Sequence, residues 1–163
     1  MKEILEQYAS YNVWANQTIL KPVLVLGETQ QLQIIPSSFS SARQTLLHIW
    51  DAESIWWQRL KLQEQIIRPS LSVQLSMQEV ANGLIDQSKQ WENWVKQNKE
   101  NMLEHVFGYN DSKGEYFKNP TWQTIVHLFN HGTYHRGQLV TMFHHLEVKK
   151  IPNTDFITWC RKK

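Results

Sequence analysis

Four long stretches of this chain place apolar residues three or four positions apart, and this pattern constrains the fold more than any other feature. They run over about residues 2–26, 41–62, 76–98 and 121–146 of 163. On an α-helix such spacing gathers the apolar side chains into one stripe, which must be packed against other elements. Long helices with few strands between them form antiparallel bundles. The sequence therefore predicts an all-α four-helix bundle in one domain, residues 1–163.

Local signals mark the ends of these helices. A serine followed three residues later by Gln or Glu starts the second and third helices, at Ser41 and Ser76. This spacing is typical of a capping box. Pro22 is predicted to kink or end the first helix. Asn119 and Pro120 are predicted to cap the fourth helix and to occupy its first turn.

The connections differ in character. Residues 27–36 are predicted to be a loop, and residues 68–70 a connector. Residues 103–118 break the helical pattern, because aromatic and apolar residues flank the turn-forming residues 110–114. This arrangement predicts a short β-hairpin between the third and fourth helices. A short C-terminal helix near residues 154–159 is expected to pack across one end of the bundle.

Composition narrows the class of protein. The net charge is +2 and both signs are dispersed; without a basic stripe, no nucleic-acid partner is expected. The single cysteine, Cys160, cannot form an intramolecular disulfide, which fits a reducing compartment. The N-terminus does not have the pattern of a signal peptide, and no apolar run approaches the roughly 18 residues of a membrane span. We therefore predict a cytoplasmic protein without a membrane partner.

Histidines spaced four residues apart are the clearest functional candidates. His127, His131 and His135 recur in the fourth predicted helix, where positions i and i+4 share one face with Cβ atoms about 6 Å apart. Two imidazoles at that distance can hold one metal ion. His131 and His135 border the apolar arc, and His48 lies on the second predicted helix. His48, His131 and His135 are therefore candidates for a three-histidine site with an open position, as in catalytic zinc.

Neighbouring residues are candidates to support this site. Asp51 and the amide oxygen of Gln138 each lie three residues beyond a candidate ligand, where they could accept a hydrogen bond from its second ring nitrogen. Three interpretations of His127 are possible from the sequence: a fourth ligand, a group that orients a ligand, or a partly exposed residue. The alternative is that all these histidines are packing or surface residues.

Two glycines interrupt the fourth predicted helix, Gly132 and Gly137, at a cost of about 1 kcal/mol each relative to alanine. That cost implies close approach of another helix or space for a ligand. Arg136 between them is predicted to form an ion pair or a cap, or to steer an anionic substrate. Three of the eight tryptophans are candidates either for a pocket wall or for the core: Trp50, Trp56 and Trp57.

Three strings of residues resemble motifs of the DinB family, the damage-inducible proteins of the DinB/YfiT-like superfamily. They are YNVWAN at 11–16, SFSS at 38–41 followed by LLHI at 46–49, and NHGTYHRGQ at 130–138. The strings stand in the family's order and at its spacing, and the resemblance covers nearly the whole chain. The third string is the most specific.

The resemblance implies an up-down-down-up bundle that commonly forms a homodimer. It also implies that His48, His131 and His135 hold a divalent metal ion such as zinc, nickel, iron or manganese. Many relatives read His-His-Arg-Gly-Gln where this chain has Tyr134 before His135. Tyr134 is not expected to bind the metal, so the implied ligand set is unchanged.

The activity implied by the resemblance is less defined. Some members of the superfamily resemble thiol S-transferases or isomerases that use low-molecular-weight thiols such as bacillithiol or mycothiol. We therefore expect a metal-dependent enzyme whose partners are a small-molecule substrate and a thiol. The same site could instead activate water for hydrolysis. The alternative is a non-catalytic metal-binding homodimer of the stress response.

Overall fold

The computed structural model describes residues 1–72 and 75–161. Their elements in chain order are α1 (Lys2–Val25), α2 (Glu28–Leu32), α3 (Ala42–Leu60), a 3₁₀ turn (Pro69–Leu71), α4 (Met77–Gln97), α5 (Glu100–Glu104), β1 (Val106–Asn110), β2 (Tyr116–Pro120), α6 (Thr121–His145) and α7 (Phe156–Cys160). Within this part of the chain, no helix is long and apolar enough to cross a membrane.

The predicted fold is confirmed, with differences in the connections. The four predicted long helices correspond to α1, α3, α4 and α6, the hairpin lies between α4 and α6, and α7 is the short C-terminal helix. The prediction of a loop at residues 27–36 is wrong in part, because this segment contains α2, and the predicted connector at residues 68–70 includes most of the 3₁₀ turn. The side chain of Gln30 starts α2 by accepting a hydrogen bond from the Gly27 N–H at 3.3 Å. The helical pattern breaks later than predicted, because residues 103–104 still belong to α5.

The two predicted capping boxes differ in one bond. At Ser76, the hydroxyl accepts from the Glu79 N–H at 3.2 Å, and the Glu79 carboxylate accepts from the Ser76 N–H at 2.7 Å. At Ser41, the hydroxyl accepts from the Gln44 N–H at 3.3 Å. The Gln44 side chain, however, accepts from the N–H and the hydroxyl of Ser40. The second bond of this box is therefore displaced by one residue.

The predictions for Pro120 and Asn119 are wrong, and the first helix does not end at Pro22. Pro120 is not in the first turn of α6, because it pairs with Val106 in the hairpin and keeps an extended backbone at ψ 144°. Asn119 does not cap the helix; its side-chain oxygen accepts a hydrogen bond from the Tyr109 hydroxyl at 2.8 Å. Pro22 is buried inside α1, which continues beyond it to Val25.

Contacts between the long helices give their directions. As the residue numbers of contacting residues rise along α3, those of their partners on α6 fall, so α3 and α6 are antiparallel. The contacts between α1 and α4 show the same reversal, so this pair is antiparallel as well. The residue numbers rise together between α3 and α4 and between α1 and α6, so these pairs are parallel. The contacts that show this are, for α3 with α6, Thr45–Met142 and Trp56–His127; for α1 with α4, Ser10–Glu92 and Asn16–Ser88; for α3 with α4, Trp50–Gly83 and Trp57–Trp91; and for α1 with α6, Tyr8–Phe129 and Asn12–Arg136. The bundle is therefore up-down-down-up.

Two large apolar clusters occupy the interior with polar residues between them, and a smaller third cluster contains Trp159 of α7. One of the large clusters includes Ile19, Leu46, Leu84 and Phe143, and the other includes Leu5, Trp91 and Phe129. At mid-height, between the large clusters, all four long helices contribute buried polar side chains. We call this set the buried polar layer: Asn12, Asn16, Glu53, Ser88 and Arg136.

Candidate metal centre

The three predicted ligands come together at one point between α3 and α6. The Nε2 atom of His131 lies 3.1 Å from Nε2 of His48 and 3.0 Å from Nε2 of His135. One nitrogen from each ring lies within 4.8 Å of the other two. Because α3 and α6 are antiparallel neighbours, a single residue of α3 meets two residues one turn apart on α6. The three histidines are therefore positioned to hold a metal ion.

The spacing of these nitrogens fits a shared ion. Imidazole nitrogens bind zinc at roughly 2.0–2.1 Å, so two of them on one ion at ordinary angles lie roughly 3.0–3.4 Å apart. The measured separations are 3.0 and 3.1 Å. With a proton on only one nitrogen of each neutral ring, direct hydrogen bonds among three Nε2 atoms cannot satisfy every lone pair. A cation at this point satisfies all three at once.

Gln138 fixes the orientation of His135, as the sequence predicted. The Nδ1 atom of His135 lies 2.8 Å from the Oε1 atom of Gln138. The amide nitrogen of Gln138 donates to the Ser38 hydroxyl at 2.8 Å, so its oxygen is the acceptor for the ring. Nδ1 therefore carries the proton of the neutral imidazole, and the lone pair on Nε2 points to the other two histidines.

Phe39 covers the cluster from the segment before α3. Its ring stacks on that of His48 with centroids 4.1 Å apart, and its edge meets His135 at 5.6 Å. His131 is held less completely, because its Nδ1 atom is buried and has no hydrogen-bond partner among the residues described. The two outer rings are thus fixed by neighbours, while the central ring contacts mainly the other histidines.

All three imidazoles are neutral at pH 7. Burial, followed by the charge of His135, lowers the pKa of His48 to about 4. Burial and then the charges of His135 and His48 lower the pKa of His131 to about 4. Burial also lowers the pKa of His135, although its bond to Gln138 opposes the change. Neutral rings present the lone pairs that metal binding requires.

Two other predicted residues lie apart from this point. The Asp51 carboxylate accepts hydrogen bonds from the backbone and the hydroxyl of Ser70, so it anchors the 3₁₀ turn instead of accepting from His48. His127 is exposed and meets the Trp56 ring edge-on at 5.5 Å. It is not part of the three-histidine group. Of the interpretations left open for His127, the partly exposed residue agrees with the structure.

A pocket of about 680 Å³ opens beside the cluster, and His48 and His131 form part of its wall. The connector after α3 and the β-hairpin close its other sides. Trp56 lines it, as one of the predicted interpretations has it. Trp50 packs against one apolar cluster and Trp57 against Trp91, so both belong to the core.

The buried polar layer lies directly behind the histidines. Arg136 is 1% exposed and donates to the side-chain oxygens of Asn12 and Asn16 at 2.9 and 2.8 Å. The amides of these asparagines donate in turn to the Glu53 carboxylate at 2.8 and 3.1 Å. Burial raises the pKa of Glu53 to about 7, opposed by its hydrogen bonds and by the charge of Arg136. Arg136 is therefore a structural cation inside the bundle, without access to a substrate.

The two glycines of α6 have different explanations. A Cβ atom at Gly132 would lie 3.0 Å from Nη1 of Arg136 and 3.3 Å from Oδ1 of Asn12, so this glycine makes room for the layer. Around the corresponding position at Gly137, no atom of the described residues lies within 4 Å apart from those of its chain neighbours and its own helix backbone. The predicted close approach therefore holds at Gly132 only.

Sequence reasoning missed the partners of Arg136 and the pocket arginines Arg59 and Arg68. A signal for the first existed: Asn12 stands in the apolar stripe of α1, and Asn16 follows it by one turn. A polar residue in an apolar stripe needs a buried partner. The pocket arginines carried no such signal, because they meet only after the connector and hairpin fold against α3.

The fold and the site together define a mostly helical bundle protein whose three-histidine cluster, beside a pocket, is compatible with metal binding. A sequence model of the DinB family matches residues 1–159, so this chain belongs to the DinB family. It is 27% identical over 165 residues to Protein DinB of Bacillus subtilis (strain 168), covering 96% of this chain and 93% of that protein. A DinB-like protein from Bacillus cereus ATCC 10987, known from a crystal structure, has the same fold, with a TM-score of 0.64 at 18% identity. That match covers 85% of this chain and 89% of the other.

Proposed function

We propose that His48, His131 and His135 bind one divalent metal ion and that the protein is a metal-dependent enzyme acting on a thiol and an electrophile. The observation that carries the proposal is the convergence of three neutral Nε2 atoms, 3.0 and 3.1 Å apart in two pairs, at the wall of a pocket. Three protein ligands leave a position for another molecule, which is the arrangement of catalytic sites.

Each part of the site has a defined task in this proposal. The three imidazoles hold the ion, and Gln138 keeps His135 in the tautomer that binds. When bound, a divalent ion supplies Lewis acidity, which lowers the pKa of a thiol or a water molecule at neutral pH. Phe39 and Trp56 limit the access of water to this region and leave the pocket as the route for a substrate.

The open pocket favours an enzyme over a non-catalytic metal-binding dimer. A structural site would be closed by a fourth protein ligand, and His127, the nearest candidate on α6, points its ring to Trp56. The homodimer implied by the family resemblance is a separate proposal. Sedimentation of the purified 163-residue chain tests it, with a mass twice that of the 19.4 kDa chain as the expected result.

Turnover of a haloarene with a panel of low-molecular-weight thiols tests the proposed reaction. The sulfur of the thiol replaces the halide on the ring, and the thiol proton is released to solvent. We expect metal-dependent turnover that His131→Ala abolishes and His127→Ala retains. A metal-loaded protein that neither binds a thiol nor changes its pKa would contradict the transferase. Turnover of an ester without thiol would assign the site to hydrolysis instead.

A further inference from the structure

The pocket beside the histidines contains two arginines that the proposed metal site does not use. Arg59 lies in the last turn of α3, and Arg68 lies in the connector before the 3₁₀ turn. Both line the pocket together with His48 and His131. In residues 1–72 and 75–161, no carboxylate lies within 4 Å of either guanidinium to form an ion pair. Two positive charges therefore border the pocket without a direct partner.

The carboxylates of the pocket have other partners. Asp51 uses both oxygens to accept from Ser70. Asp111 accepts from the backbone N–H groups of Lys113 and Glu115 at 2.8 and 2.9 Å, which fixes the turn of the hairpin. These bonds hold the two walls of the pocket in place. Burial lowers the pKa of Arg59, and the charge of Asp111 nevertheless acts against this lowering. Among the residues described, neither carboxylate accepts a hydrogen bond from an arginine of the pocket, so the guanidinium N–H groups remain available to a ligand.

Aromatic rings hold Arg59 and give the pocket flat walls. The guanidinium carbon of Arg59 lies 4.7 Å from the ring centre of Trp56 and 5.2 Å from that of Tyr109. The two rings meet edge-on at 4.7 Å, and Phe117 lines the same pocket. Stacking on aromatic faces orients a guanidinium while its edge stays free to donate. The pocket thus combines a held cation with surfaces suited to a flat unsaturated group.

We propose that this pocket binds a small molecule that carries a carboxylate on a flat unsaturated body, with Arg59 and Arg68 contacting the carboxylate. A guanidinium matches a carboxylate with two parallel N–H···O bonds. The volume of about 680 Å³ is typical of small-molecule sites. The inference deepens the proposed function, because the reacting end of the ligand would face His48 and His131. The carboxylate contact itself requires no metal.

Benzoate and benzamide are matched probes for this contact, because they differ mainly in charge. Titration of the metal-free full-length protein, followed by ligand-detected NMR, compares their affinities. We expect benzoate to bind about tenfold more tightly, the size of one charge-assisted hydrogen bond. Arg59→Gln and Arg68→Gln should each remove most of this preference. Arg161→Gln, an exposed residue outside the pocket, should keep it.

Three outcomes would overturn the proposal: equal binding of both probes, binding of neither, or a preference that survives both pocket variants. Arg68 is exposed, so Arg68→Gln gives a clear result even if Arg59→Gln disturbs packing, and circular dichroism checks each fold. The metal proposal fails separately. A protein that binds metal without preferring benzoate contradicts only the carboxylate pocket, whereas a benzoate preference without metal binding contradicts only the metal site.

Discussion

Two polar groups lie side by side at mid-height of this bundle, and their chemistry differs. In the buried polar layer, the Arg136 cation and the Glu53 carboxyl lie inside the protein, joined through the amides of Asn12 and Asn16. In the histidine cluster, neutral rings face each other at the edge of a pocket. The two groups share α3 and α6, where His135 and Arg136 are consecutive residues.

This difference in bonding indicates that the buried polar layer has a structural role and that the histidine cluster is suited to binding. The amides of the layer each use their oxygen toward Arg136 and their nitrogen toward the Glu53 carboxyl, so the layer is bonded within itself apart from Nε of Arg136, which has no partner in the described residues. In the cluster, three lone pairs meet at one point, and Nδ1 of His131 has no partner within the described chain. The first arrangement favours one register of four helices; the second leaves a place for a cation.

The largest expected effect comes from removing the cation of the layer. Arg136→Met leaves the side-chain oxygens of Asn12 and Asn16 buried without their donor, and each unsatisfied buried polar group costs about 1–3 kcal/mol. Urea unfolding of the metal-free protein measures the loss. A loss below about 1 kcal/mol, less than the cost of a single such group, would show that the layer is not a hydrogen-bonded unit.

Gln138 tests the histidine cluster without removing a ligand. Gln138→Ala deprives the Nδ1 proton of His135 of its acceptor, and changes of this kind weaken metal binding about 10–100-fold. Competition with a chromophoric chelator measures the affinity. Gln123→Ala, an exposed position of the same helix, is the matched control and should bind as the unchanged protein does. Equal affinities in both variants would contradict the role of the amide.

Acid should act on the two groups in opposite directions. His48 and His131 have pKa values lowered from 6.5 to about 4, so the unfolded chain binds more protons and they reduce stability as the pH falls through this range. Glu53 has a pKa raised from 4.5 to about 7, so the folded chain binds more protons there and acid increases its contribution. Metal-free His131→Ala should therefore lose less stability on acidification than the unchanged protein in urea titrations at several pH values. Equal slopes would contradict this assignment of charges.

The glycines of α6 provide the smallest effects and a matched pair. Gly137→Ala enters open space and should stabilise the helix by up to about 1 kcal/mol. Gly132→Ala gains the same propensity but places a methyl group 3.0 Å from Arg136, so we expect net destabilisation. Thermal unfolding compares the two. If both variants are stabilised alike, the layer is more loosely packed than its distances indicate.

The sequence predicted the long helices because their apolar stripes are local and strong. It also predicted the histidine cluster, because spacing on α6 and the family resemblance pointed to the same residues. It failed where a residue's role depends on distant partners: Pro120 follows the hairpin register instead of helix preference. Likewise, Asp51 bonds Ser70, nineteen residues away, and Arg59 faces the pocket only once the hairpin packs beside it. These contacts arise from tertiary packing, which no local pattern encodes.

Elemental analysis of untagged protein, purified without chelator, tests whether three imidazoles from two helices share one metal ion. We expect about one divalent ion per chain in the unchanged protein and in His127→Ala. His48→Ala, His131→Ala and His135→Ala should each lose it while remaining folded by circular dichroism. An unchanged protein that stays free of metal after incubation with zinc, nickel, iron or manganese would contradict the account. Full metal content in any of the three variants would also contradict it.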